Sequence, residues 1–152
     1  MDYFVPCISA FAACLGFSIM FNIRGTGMVI SSIGGGLTWL VYLLVGPLVG
    51  HSDILQSFWA AVFLSLYAEG MARVRKCPVT GFLLVAFLPL VPGNGIYNMM
   101  EHALNGEPER FLSSGAHTLG IAGALAVGVL MVSSLVRMYS AFRRRLHARL
   151  SP

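Results

Sequence analysis

The sequence predicts an all-α, polytopic membrane protein with five transmembrane helices, the fourth broken near the midplane, the N-terminus outside and the C-terminus inside. Three observations carry this expectation. Hydrophobic residues make up 57% of the chain and charged residues 11%, against roughly 45–50% and roughly 25% in a soluble domain. Too little polar surface exists to face water, which removes soluble enzymes and nucleic-acid-binding modules from consideration. A helix needs about 20 apolar residues to cross a hydrocarbon core of about 30 Å, and the sequence supplies such a stretch five times within one 152-residue membrane domain. The basic residues then gather on one side of the resulting topology.

The first stretch, Phe4 to Phe21, follows Met1-Asp2-Tyr3. No basic residue precedes it, so a retained span is expected rather than a cleaved signal peptide. The second, Gly27 to Gly50, contains Gly34-Gly35-Gly36 and the pair Gly46 and Gly50 at four-residue spacing. The third, Ile54 to Ala72, is expected to be capped by Asp53, and it holds Glu69, the one formally charged residue inside any of these windows. The fourth is Val79 to Met100. A longer connection, Glu101 to Gly115, leads to the fifth, Ala116 to Val136, where Ala116, Gly120, Ala124 and Gly128 repeat at four-residue spacing. Small residues let helices approach closely in lipid, where escape from water supplies no driving force. Their abundance here predicts that another chain completes at least one face.

Orientation follows from the connections. Arg24 lies in the first, Arg73, Arg75 and Lys76 in the third, and Arg137, Arg143, Arg144, Arg145 and Arg149 in the tail, with Arg110 alone on the other side. Basic residues favour the cytoplasmic face. The Arg143-Arg144-Arg145 run, directly after a span, is expected to sit near anionic lipid rather than nucleic acid. Cys7, Cys14 and Cys77 form no close-spaced pair and are expected to pack as small apolar fillers. No metal site or cofactor is expected. His51-Ser52-Asp53 has the residue types of a hydrolytic relay, but neighbouring positions in a short turn cannot assemble one, and no enzymatic activity is expected.

The most informative segment is Phe87 to Asn98, which places Pro89, Pro92, Gly93 and Gly95 inside one apolar span. Proline removes a backbone donor and clashes with the preceding turn, and glycine loosens what remains. The helix should stop near Leu88 and restart near Asn94, at about 15 Å of depth by helical rise. Irregular backbone at that level must be covered by protein or line a wet cavity. Discontinuous helices of this kind build transporter substrate sites, the restarted helix aiming its positive end at an anionic group. The expected substrate path is therefore Pro89, Pro92, Gly93, Asn94, Gly95, Tyr97 and Asn98, with a substrate carboxylate at the amides of Gly93 to Gly95. Glu69 and Arg73, one turn apart, are expected to form an interfacial ion pair or to take part in coupling. His102 and His117 are expected at hydrated boundaries. With no titratable side chain expected at the midplane, a central proton carrier would have to come from a partner.

Several of these motifs together resemble the threonine/serine exporter family. They are Glu69-x-x-x-Arg73, the basic turn ending Cys77-Pro78, Pro89-Leu90-Val91-Pro92-Gly93 followed by Ile96-Tyr97, and Gly34-Gly35-Gly36-Leu37-Thr38-Trp39. The chain looks like the short five-span subunit corresponding to the C-terminal membrane half of the fused exporter, the likeness running from about Phe21 to Val136. The resemblance implies export of small hydroxylated amino acids through a bacterial inner membrane, together with a larger membrane subunit of the same family. A related short subunit is associated with dicarboxylate export, and a structural subunit that binds no solute is the reading from a different class.

Overall fold

Pro47, Pro89, Pro92 and Pro108 mark four of the boundaries along a chain of helical segments. The computed structural model describes residues 4–76 and 78–150, with side chains as far as Phe142, and contains no strand among the described residues. Six α-helices follow in order: α1 Phe4–Met20, α2 Thr26–Val45, α3 Asp53–Arg75, α4 Val79–Phe87, α5 Gly93–Leu104 and α6 Pro108–Leu150. Short 3-10 turns, Gly46–Val49 and Leu88–Leu90, follow α2 and α4, each with a proline at its start. Cys77 and the side chains of Arg143, Arg144, Arg145 and Arg149 lie outside the described residues.

Among the described residues, three segments are long and apolar enough to cross a bilayer alone: Thr26–Val49, Asp53–Arg75 and Pro108–Phe142. The pair Val79–Leu90 and Gly93–Leu104 passes together as a span bent by 51°. With 17 residues, α1 reaches about 25 Å by helical rise, short of the hydrocarbon core. Length and composition thus define three spans, or four with the bent pair, where the sequence led us to expect five.

The expected long connection before the last span is almost entirely helical. Only Asn105, Gly106 and Glu107 separate α5 from α6. Gly106 adopts φ 69°, a left-handed turn that favours glycine. It lets the Glu107 amide reach the His102 carbonyl at 3.0 Å and the Gly106 amide reach that of Ala103 at 3.3 Å, the reverse-turn ending of a Schellman motif. Pro108 then opens α6 where a missing amide costs nothing. Hydropathy detects only the lipid-length part of such a helix, so α6 begins eight residues before the predicted Ala116.

Part of each small-residue stripe packs inside the chain. The most extensive helix contact is α3 against α6. A Cβ added at Gly128 would stand 2.9 Å from the Ala61 Cβ and 3.0 Å from the Phe58 carbonyl, and one at Gly120 would stand 2.9 Å from Ile54. Gly34 faces the Tyr67 ring and Gly35 faces the Cys14 sulfur. Cys14, fully buried, donates to the Val85 carbonyl at 3.4 Å. These contacts enclose an apolar centre of Ala60, Ala61, Leu64, Ala86, Leu90 and Leu125. Buried hydroxyls of Ser32, Thr38, Ser65 and Thr118 each donate to the carbonyl four residues back, which satisfies them where water is excluded. Gly16 and Gly123, by contrast, meet open space.

Candidate solute cavity

The break runs from Leu88 to Pro92. Pro89 sits in the 3-10 turn, Val91 is extended, and Pro92 holds φ −76°, ψ 60°. Those angles define an inverse γ-turn, closed by the Gly93 amide on the Val91 carbonyl at 2.7 Å. Intrahelical bonding resumes at Ile96, whose amide reaches the Pro92 carbonyl at 3.1 Å, and no side chain caps α5. The helix stops and restarts within a residue of the predicted positions. One detail differs: the γ-turn consumes the Gly93 amide, so the first-turn donors left without an intramolecular acceptor are those of Asn94 and Gly95. Gly95 packs against Thr118 so closely that a Cβ there would lie 2.5 Å from its Oγ1, which fixes the start of α5 against α6.

These amides open on a cavity of about 420 Å³ lined by the break and by α2, α3 and α6. Pro89, Pro92, Gly93, Asn94, Gly95 and Asn98 line it, as expected from the sequence. Tyr97 does not: it is 66% exposed and points away from the lining. The facing walls bring residues that sequence reasoning left elsewhere, namely Trp39 and Tyr42 from α2, Asp53 and Ser57 from α3, and His117 and Ile121 from α6.

Asp53 is the centre of the polar wall. The N-cap position of α3 belongs to Ser52, without a side-chain cap bond, so the expected capping role of Asp53 is not what its carboxylate performs. Oδ1 accepts from the Tyr42 hydroxyl at 3.3 Å and Oδ2 meets His117 Nε2 at 3.3 Å. The turn through Gly46–Val49 and Gly50 folds α2 back beside the start of α3, placing Tyr42 and Asp53 together. Trp39 stacks on Tyr42 with centroids 5.1 Å apart and planes at 19°. Its indole Nε1 is buried without an acceptor, a condition that costs about 1–3 kcal/mol unless something fills it.

Glu69 and Arg73 lie apart from this site. Sixteen residues of α3 separate Asp53 from Glu69, about 24 Å of helical rise. They share a shallow pocket with Val136, Arg137 and Ser140, and Arg73 donates to the Ser140 hydroxyl at 3.2 Å. His102 and Arg110 contact Glu107, and His117 contacts Asp53; the contact recorded for Arg73 is with Ser140 rather than Glu69. His102 serves the α5–α6 turn through Glu107, whereas His117 faces the cavity.

Long apolar helices, one broken and restarting uncapped beside a polar cavity, define a multi-pass membrane protein of the solute-transporter class. Residues 6–135 match the family model described as threonine/serine exporter, ThrE. The chain belongs to that family, and its activity is transport of the threonine/serine-exporter type. No curated protein and no solved structure matches the chain.

Proposed function

We propose that this chain is one membrane half of a two-component threonine/serine exporter of the bacterial inner membrane, working by alternating access against a larger subunit of the same family. The observation that carries the reading is the uncapped start of α5, whose free Asn94 and Gly95 amides open on the cavity. A substrate carboxylate accepts from these amides at the positive end of the helix dipole, and Asn94 and Asn98 add neutral hydrogen bonds. Counting both α1 and the bent α4–α5 pair gives five spans, with nine of the ten basic residues on the cytoplasmic side. The N-terminus is then outside, the Asp53–His117 wall opens toward the outer face, and Glu69 and Arg73 lie near the inner one. The partner presents the opposing half of the path, and the cavity is exposed to each side in turn as the two halves rock.

Threonine counterflow in membrane vesicles from the native host tests this. Asn94→Ala and Asn98→Ala should each slow exchange about fivefold, the loss of one hydrogen bond, while Tyr97→Phe, directed away from the cavity, leaves it unchanged. Full exchange in both asparagine variants would instead make the chain a structural subunit. Co-purification of a larger membrane protein checks the two-component arrangement.

A further inference from the structure

We infer that Asp53 is a specificity-determining residue that holds the ammonium group of the solute, so that the cavity admits zwitterionic amino acids and rejects dicarboxylates. This rests on the substrate reading above and adds a second pole to it. Asp53 is the only acidic residue among the described residues that line the cavity. Both of its hydrogen bonds measure 3.3 Å, longer than the about 2.7–2.9 Å of a strong charge-assisted contact. A carboxylate offers about four lone-pair sites, so two weak partners leave acceptor capacity facing the cavity. The stacked Trp39 and Tyr42 rings beside it carry negative faces, a surface that also favours a cation.

The walls therefore differ in sign. One presents the positive start of α5, the other a carboxylate flanked by aromatic faces. A solute with a carboxylate at one end and an ammonium beside it matches both. A dicarboxylate meets the α5 amides with one group and is repelled by Asp53 with the other. The remaining titratable groups on this wall are His117 and Tyr42, both already directed at Asp53; a protonated His117 would weaken the hold on an ammonium rather than create one.

The test compares threonine with 3-hydroxybutanoate, the same carbon skeleton, carboxylate and hydroxyl without the amine, and with succinate. Each competes against radiolabelled threonine in native-host vesicles carrying the full chain and its own membrane partners. In the wild type both amine-free acids should compete about 50-fold more weakly than threonine, the loss of one charge-assisted interaction. Asp53→Asn should weaken threonine and bring 3-hydroxybutanoate to within about fivefold of it. Equal competition by 3-hydroxybutanoate in the wild type overturns the inference, and so does undiminished discrimination in Asp53→Asn. If that variant does not reach the membrane, the wild-type comparison decides alone. Protection of Asn94→Cys from a maleimide by threonine separates the two readings. Without protection the cavity is not the path and both fall; protection with unaltered selectivity removes the role of Asp53 only.

Discussion

Along α6 two neighbouring stretches do opposite work. Around Gly120, Leu125 and Gly128 the helix lies in direct contact with α3, Gly120 against the Ile54 side chain and Gly128 against the Phe58–Val62 backbone. Around His117 and Thr118, a few turns earlier, it faces the broken helix and a cavity lined by a carboxylate and open amides. The first stretch is organised for stability in lipid, where close approach is the available source of association. The second leaves polar groups unsatisfied that a purely structural seam would bury or pair. One helix thus anchors the bundle with one part and borders the cavity with another, and the two parts should respond differently to substitution.

The largest effect is expected at the seam. Gly128→Leu forces a side chain against the Phe58 carbonyl and Ala61, neither of which can rotate away, and should cost about 3 kcal/mol or more. Thermal unfolding in detergent should show it as a large drop in Tm or as loss of folded protein. Next comes Gly95→Ala, where the added methyl meets the Thr118 hydroxyl and displaces the start of α5. Folded protein should persist while threonine exchange falls by about tenfold or more, the effect of misplacing a positioning group. An unfolded Gly95→Ala chain would erase the contrast between the two stretches.

Smaller still is Trp39→Phe, which keeps an aromatic ring against Tyr42 and deletes the unpaired donor. Stability should hold or rise by about 1 kcal/mol in thermal unfolding, with threonine exchange unchanged because the buried nitrogen does not reach the cavity; a stability loss would mean that the indole nitrogen has a structural partner. Least of all is Gly123→Ala, on the same helix but facing open space. Its Tm should stay within the equivalent of about 1 kcal/mol, with any gain reflecting helix propensity. A collapse there as severe as at Gly128 would reveal a second chain against that face.

The break was legible because proline and glycine act locally: Pro89, Pro92 and Gly93 interrupt helical hydrogen bonding whatever surrounds them. The γ-turn at Pro92, which removes the Gly93 amide from the available donors, depends on angles that residue identities do not specify. The polar wall was not legible, since Tyr42, Asp53 and His117 meet only after α2, α3 and α6 have packed. Asp53 at a helix start reads as a cap, and His117 beside an apolar run reads as a boundary residue. A trace of the pairing did exist in the tight Gly46–Ser52 turn, which obliges the end of α2 to lie beside the start of α3. Asn94, Tyr97 and Asn98 were read together, but only Asn94 and Asn98, four residues apart and so on one helix face, line the cavity, while Tyr97, next to Asn98 in sequence, falls on a different face of α5. Glycine spacing marked contact faces only in part: Gly120 and Gly128 are filled by α3, whereas Gly16 and Gly50 meet open space.

The apolar stretch of α6 from Pro108 to Phe142 counts 35 residues, roughly 52 Å of unbroken rod in a membrane whose oily layer is about 30 Å deep. Some 20 Å of it therefore protrudes into headgroups and water. A fluorophore or a bulky binder fastened to that overhang would report, or restrain, the tilt of the whole rod without touching the chamber it borders. Bilayers of graded thickness would shift the same rod by hydrophobic mismatch, giving an external handle on the geometry of the passage.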